Sequence, residues 1–80
     1  MRMLNVDRSE SLWQLQLYLT PKEALELRAA LDQLLKDPEA NEHETLIHDG
    51  RELSFSLVTP RKLANLSGYS PEEQRMFKER

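Results

Sequence analysis

The sequence contains no cysteine, only two glycines and few aromatic residues. Without cysteine the chain can form no disulfide, offer no thiolate nucleophile and hold no zinc through sulfur. No apolar run approaches the roughly 20 residues that a membrane span needs. The N-terminal stretch MRMLNVDRSES also lacks the apolar core of a signal peptide. We therefore expect a cytoplasmic protein that does not interact with a membrane.

The composition is typical of one small globular domain with an uneven charge distribution. Of the 80 residues, 39% are apolar and 31% are charged, which favours a folded chain over a disordered one. The length suits a single domain over residues 1–80, near the size at which one core only just outweighs chain entropy. The net charge is −3, with −5 on residues 21–58 and +2 on residues 59–80. Proteins that rely on phosphate contacts usually have a basic face, so nucleic acid is not the expected partner.

The first half of the chain predicts two strands followed by a helix. A short strand, MLNV, and a turn, DRSES, precede the stretch LWQLQLYLT, where large apolar residues alternate with glutamine and tyrosine. This period of two is typical of a strand with one buried face. Thr20 then caps a helix, Pro21 suits its first position and Glu23 completes a capping box. Leucines at helical spacing give the helix a buried stripe, and Pro38 ends it.

A hairpin is predicted in HETLIHDGRELSFSLV, and two registers compete for it. A two-residue turn would pair Leu46 with Leu53 and place Glu44 on the core face. A longer turn, with Gly50 in a left-handed bulge, would pair Thr45 with Leu53 and direct the glutamates outward. Burying an unpaired carboxylate costs several kcal/mol, so we favour the bulged register.

The remaining residues predict two short helices separated by Gly68, which we expect in the left-handed conformation that closes a helix. The fold class is then α+β: a two-layer sandwich in which two hairpins form one antiparallel four-stranded sheet in the order ββαββ, followed by a C-terminal helical segment. The helix covers one face of the sheet. The predicted core comprises Trp13, Leu15, Leu17, Leu27, Leu31, Leu34, Leu53, Phe55 and Leu57.

Residues 61–77 resemble a degenerate helix-turn-helix. Ala64, Gly68 and Tyr69 fit that pattern, but Gln74 stands where the second helix should present an apolar residue. The second helix also begins with two glutamates, which would face DNA phosphates. We interpret this segment as a structural lid that completes the core and makes no contact with DNA bases. The alternative function is a DNA-binding regulator that uses this segment.

Metal binding and catalysis have little support in the sequence. His43 and His48 have opposite parity on one strand, so we interpret His43 as structural and His48 as a solvated residue at the turn. Ser54 and Ser56 lie on an outward strand face, with no histidine or acid at a distance that defines a catalytic motif. Both glycines belong to turns, which leaves no phosphate loop. We predict that the chain is not an enzyme and has no catalytic residue, no metal and no cofactor.

The open face of the predicted sheet is the candidate functional surface. It is neutral and mixes amides, hydroxyls and apolar groups with one tyrosine, a residue that interfaces favour. Glutamine and serine suit an ordinary solvated face equally well, and this alternative stays open. The partner would be another protein or a second copy that binds the sheet face or an unpaired edge strand. The candidate interaction residues are Leu12, Gln14, Gln16, Tyr18, Ser54, Ser56 and Val58, with Leu46 beside them.

One family resemblance extends over about half of the chain. The stretch LYLTPKEALELRAALDQLLKDPEANEH, followed by a hairpin containing RELSFSLVTP, resembles small bacterial proteins of the toxin-immunity type. The resemblance lies in the order of a strand, a helix capped by Thr-Pro and a hairpin that bears a histidine. It implies a non-catalytic acidic protein that binds and blocks a partner, with the acidic region 21–58 acting either as a DNA mimic or against a basic toxin. It assigns no binding residue.

Overall fold

The computed structural model describes residues 1–79 and has an α+β architecture, as predicted. Its strands pair in two antiparallel hairpins, each a separate two-stranded sheet. The described strands therefore do not form the single four-stranded sheet that the sequence predicts. In chain order the elements are β1 (Met3–Asn5), β2 (Glu10–Leu12), α1 (Pro21–Leu35), β3 (Glu44–His48), β4 (Arg51–Phe55), α2 (Pro60–Leu63) and α3 (Pro71–Lys78).

Helix α1 begins where the sequence predicts it. The Thr20 hydroxyl accepts a hydrogen bond from the Glu23 amide at 3.2 Å, and the Glu23 carboxylate accepts one from the Thr20 amide at 2.9 Å. This reciprocal capping box satisfies two amides that the first helical turn would otherwise leave unpaired. The helix ends three residues before Pro38, which lacks an amide hydrogen and disfavours helical geometry in the residue before it.

The hairpin of β3 and β4 exists, but its predicted bulged register is wrong. Leu46 pairs with Leu53 and Glu44 with Phe55 around a two-residue turn. Asp49 and Gly50, the two turn residues, both have positive φ, at 53° and 74°, as a type I′ turn requires. The cost that favoured the bulge does not arise, because Glu44 keeps contact with solvent and none of the described charged side chains is buried.

The C-terminal segment has two short helices, as predicted, but a different turn between them. The side chain of Ser70 caps α3, and the rings of Tyr69 and Phe77 pack edge to face with centroids 4.9 Å apart. Gly68 does not have the predicted left-handed conformation, since Gly50 is the one described glycine with positive φ. Helix α2 spans only four residues, so the chain reaches α3 through a seven-residue connection.

The core is much smaller than predicted. Among the described residues only Leu34 and Met76 are buried apolar side chains, with exposed fractions of 5% and 7%. Of the predicted core, Trp13, Leu15, Leu17 and Leu31 are exposed, whereas Leu27, Leu53, Phe55 and Leu57 are partly buried. The physical reason is that the chain from Trp13 to Leu19 pairs with neither hairpin, so its apolar row is not held beneath α1.

Candidate functional site

The open segment, residues 13–19, has the predicted strand sequence but no strand partner. From residue 14 to residue 20 the backbone forms no helix, strand, turn or bend. Within the described chain no hydrogen bond joins residues 14–19 to another residue. Their amides and carbonyls therefore have no hydrogen-bond partner within the described chain, which is the condition of an unprotected strand edge.

The side chains of the open segment are exposed on both faces. Trp13 is 73% exposed and Tyr18 is 87% exposed, while Leu15 and Leu17 are each about half exposed. The segment carries no charged residue. Exposed large apolar side chains that lie together and lack charges are characteristic of interaction surfaces, whereas scattered ones are ordinary.

A shallow groove runs beside the first half of the open segment. It has a volume of about 600 Å³ and is lined by Met1, Met3, Trp13, Gln14, Leu15 and Gln16. A much smaller cavity of about 30 Å³ lies behind it, between β1, β2 and Met76. The smaller cavity holds roughly one water molecule. The groove is open to solvent, and its lining mixes thioether, indole and leucine side chains with the amides of Gln14 and Gln16.

The predicted interaction residues fall into two groups that the structure does not combine into one sheet face. Leu12 ends β2 opposite Met3, and Gln14, Gln16 and Tyr18 lie in the open segment. Ser54 is on β4, where its hydroxyl is 3.0 Å from that of Thr45. The remaining two, Ser56 and Val58, follow the end of β4 and are exposed.

In the observed register, Leu46 and Ile47 lie on the opposite faces from those that the bulged register predicts. Leu46 shares the face of Leu53 and of His48, the face that contacts α1, so it is not part of the open face. Ile47 takes its place on the opposite face and is 65% exposed. The sequence signal for the observed register is Asp49-Gly50, because Asp-Gly between alternating residues strongly favours a two-residue turn.

The prediction that His48 is simply solvated is wrong. Its Nε2 atom lies 2.7 Å from the carboxylate of Glu26, and its Nδ1 atom lies 3.7 Å from that of Glu23. His48 therefore joins the tip of the hairpin to the first turns of α1. Sequence spacing could not show this contact, because the residues are 22 or more positions apart and meet only in the folded chain.

The described residues offer little else for chemistry. In residues 1–79 no three or more histidine, aspartate and glutamate side chains are placed to hold a metal ion. None of the helices in this range is long and apolar enough to cross a bilayer. No protein-family model, curated protein or solved structure matches the chain. The open segment is therefore the candidate functional surface of the described chain.

Proposed function

We propose that this chain is a small, non-catalytic protein–protein interaction module whose binding surface is the open segment. It acts by binding a protein partner, in the manner of inhibitors and immunity-type proteins. The observation that carries the proposal is an uncharged run of alternating apolar and polar residues whose backbone forms no hydrogen bond with the described chain.

The backbone of the open segment supports binding by strand addition. In this mode an extended segment pairs with a strand of its partner, so that main-chain hydrogen bonds give affinity and alternate side chains give specificity. The described chain leaves the main-chain groups of residues 14–19 available for such pairing.

The side chains support the same mode of binding. Tyrosine and tryptophan are enriched among the residues that dominate binding energy, and both occur here in exposed positions. Lysine and glutamate are depleted at interface centres, and neither occurs within the segment. Residues 21–58, which follow this surface in sequence, carry a net charge of −5 and favour a basic or neutral partner over an acidic one.

The geometry of residues 60–78 offers no specific support for the alternative of a DNA-binding regulator. Helix α2 is a single turn, and α3 carries Glu72 and Glu73 in its first turn. Carboxylates at a helix N-terminus would oppose the phosphate contacts on which DNA affinity largely depends. The side-chain amide of Gln74 donates to the Tyr69 carbonyl at 2.9 Å, which fits the structural lid predicted for this region.

Replacement of Tyr18 by alanine tests the proposed surface. We expect Tyr18→Ala to weaken partner binding by roughly tenfold or more, as truncation of an interface tyrosine commonly does. The free energy of unfolding should change by less than about 0.5 kcal/mol, because the side chain is 87% exposed. The measurement is retention of host proteins, or of a second copy, on the immobilised chain, with urea unfolding run in parallel.

Val6→Ala is the matched control, since Val6 is 79% exposed but lies in the turn between β1 and β2. The proposal predicts that wild type and Val6→Ala retain the same protein while Tyr18→Ala loses it. Equal retention by all three chains, or no retention above a blank surface, would contradict the proposal.

A further inference from the structure

We infer that the open segment binds a second copy of this chain. The two segments pair antiparallel about a two-fold axis at Gln16. This inference rests on the proposed function and specifies the partner. It is supported by the surface area of the chain, by the symmetry of the segment's sequence and by the position of the groove.

The accessible surface of a single chain is larger than that of a typical folded monomer of this mass. It measures 6833 Å², about 1,800 Å² more than the roughly 5,000 Å² that a folded monomer of 9.4 kDa exposes. The open segment contributes to this surplus, because Trp13 and Tyr18 are largely exposed. A second copy is always present to cover such a surface, and its binding increases with protein concentration.

The segment's sequence is self-complementary when it is reversed. With Gln16 on the axis, Trp13 of one copy faces Leu19 of the second, Leu15 faces Leu17, and Gln14 faces Tyr18. Apolar side chains therefore meet on one face and polar side chains on the other. A shift of one residue would oppose apolar with polar positions, because side chains alternate with a period of two. Of the two-fold axes centred on a residue, the one at Gln16 pairs all seven residues of the segment, and each unlike pair occurs twice, as in any isologous interface.

The groove and the charges are consistent with this arrangement. Residues 17–19 of the second copy run beside positions 13–15, where Met1, Met3 and Trp13 line the groove. Leu17 and Leu19 of the second copy are thereby brought beside methionine and tryptophan side chains, in a groove whose lining also includes glutamine amides. Residues 13–19 contain no charged side chain, so like charges do not face each other along the paired segments.

A single introduced cysteine tests the pairing, because the natural chain has none. In an antiparallel pair the Gln16 Cα atoms of the two copies lie about 4.5–5.5 Å apart. This is within the range of about 4.4–6.8 Å that a disulfide spans. Two Gln14 residues lie about 13 Å apart in the same pair, at roughly 3.3 Å per residue, which is too far for a disulfide. Gln14→Cys is thus a matched control in the same segment, and Gln33→Cys on α1 reports random collisions.

The measurements are native mass by sedimentation and the rate of disulfide cross-linking under mild oxidation. We expect wild type to sediment at twice 9.4 kDa, and Gln16→Cys to cross-link about tenfold faster than either control, as disulfide geometry dictates. A monomeric wild type, or a dimer in which Gln16→Cys cross-links no faster than both controls, would overturn the inference. Neither result would overturn the proposed function, which fails instead if Tyr18→Ala retains its protein partner as wild type does.

Discussion

At the scale of single residues, the two glycines differ in ways that the sequence does not reveal. Both follow a polar residue and both were expected to adopt positive φ. Gly50 does so, at 74°, as the second residue of the type I′ turn, whereas Gly68 does not. A Cβ atom at either position would meet no other atom within 4 Å, so backbone conformation alone separates them. Sequence identifies a turn glycine but not its φ, which depends on how the flanking elements pack.

This difference predicts opposite outcomes for the same substitution. Gly50→Ala should destabilise the fold by about 1–2 kcal/mol, because alanine is strained at positive φ. Gly68→Ala should change stability by less than about 0.5 kcal/mol, or raise it by up to about 1 kcal/mol by restricting the unfolded chain. Urea unfolding of the two variants measures both effects. A larger loss in Gly68→Ala than in Gly50→Ala would show that the two turn conformations are assigned wrongly.

At the scale of elements, the features that neighbouring residues determine were predictable from the sequence. Helix α1, from its capping box to its end before Pro38, is confirmed because neighbouring residues alone fix those features. The hairpin was predicted, but the predicted register was wrong. The bulged register was favoured because a two-residue turn was expected to bury Glu44. The contact of His48 with Glu26 and Glu23 could not be predicted, since it depends on how the hairpin packs against α1.

The capping box of α1 predicts an acid-dependent loss of stability. The hydrogen bond from the Thr20 amide holds the pKa of Glu23 below its ordinary value; the Thr20 hydroxyl and the nearby His48 act in the same direction. A carboxylate with a lowered pKa stabilises the fold above the ordinary glutamate value of about 4.3. That contribution is lost as the pH falls through the lowered pKa of the folded state.

Glu23→Gln isolates this contribution, because glutamine keeps the accepting oxygen and removes the charge. We expect the variant to be less stable than wild type at pH 7 and the difference to disappear at low pH. Denaturant unfolding of both chains across the acidic range provides the measurement. A difference that stays constant with pH would mean that the charge of Glu23 does not stabilise α1.

At the scale of the whole molecule, the α+β class followed from the sequence but the assembly of the sheet did not. The period of two in residues 13–19 predicted a strand, and the prediction assumed a partner within the same chain. The structure pairs each hairpin only with itself, and its radius of gyration of 13.5 Å exceeds the roughly 12 Å of a compact 80-residue domain. A single sequence states which residues favour a strand but not which chain supplies the neighbouring strand.

The proposed binding mode requires the open segment to be unpaired within its own chain. Amide hydrogen exchange reports this pairing residue by residue, in a sample diluted until sedimentation shows a monomer. We predict that the amides of residues 14–19 exchange rapidly while those of β3 and β4 are protected, because only the latter form ladder hydrogen bonds in the described chain. Protection of residues 14–19 equal to that of β3 and β4 in the monomer would contradict the account, since the segment would then already be paired within the chain.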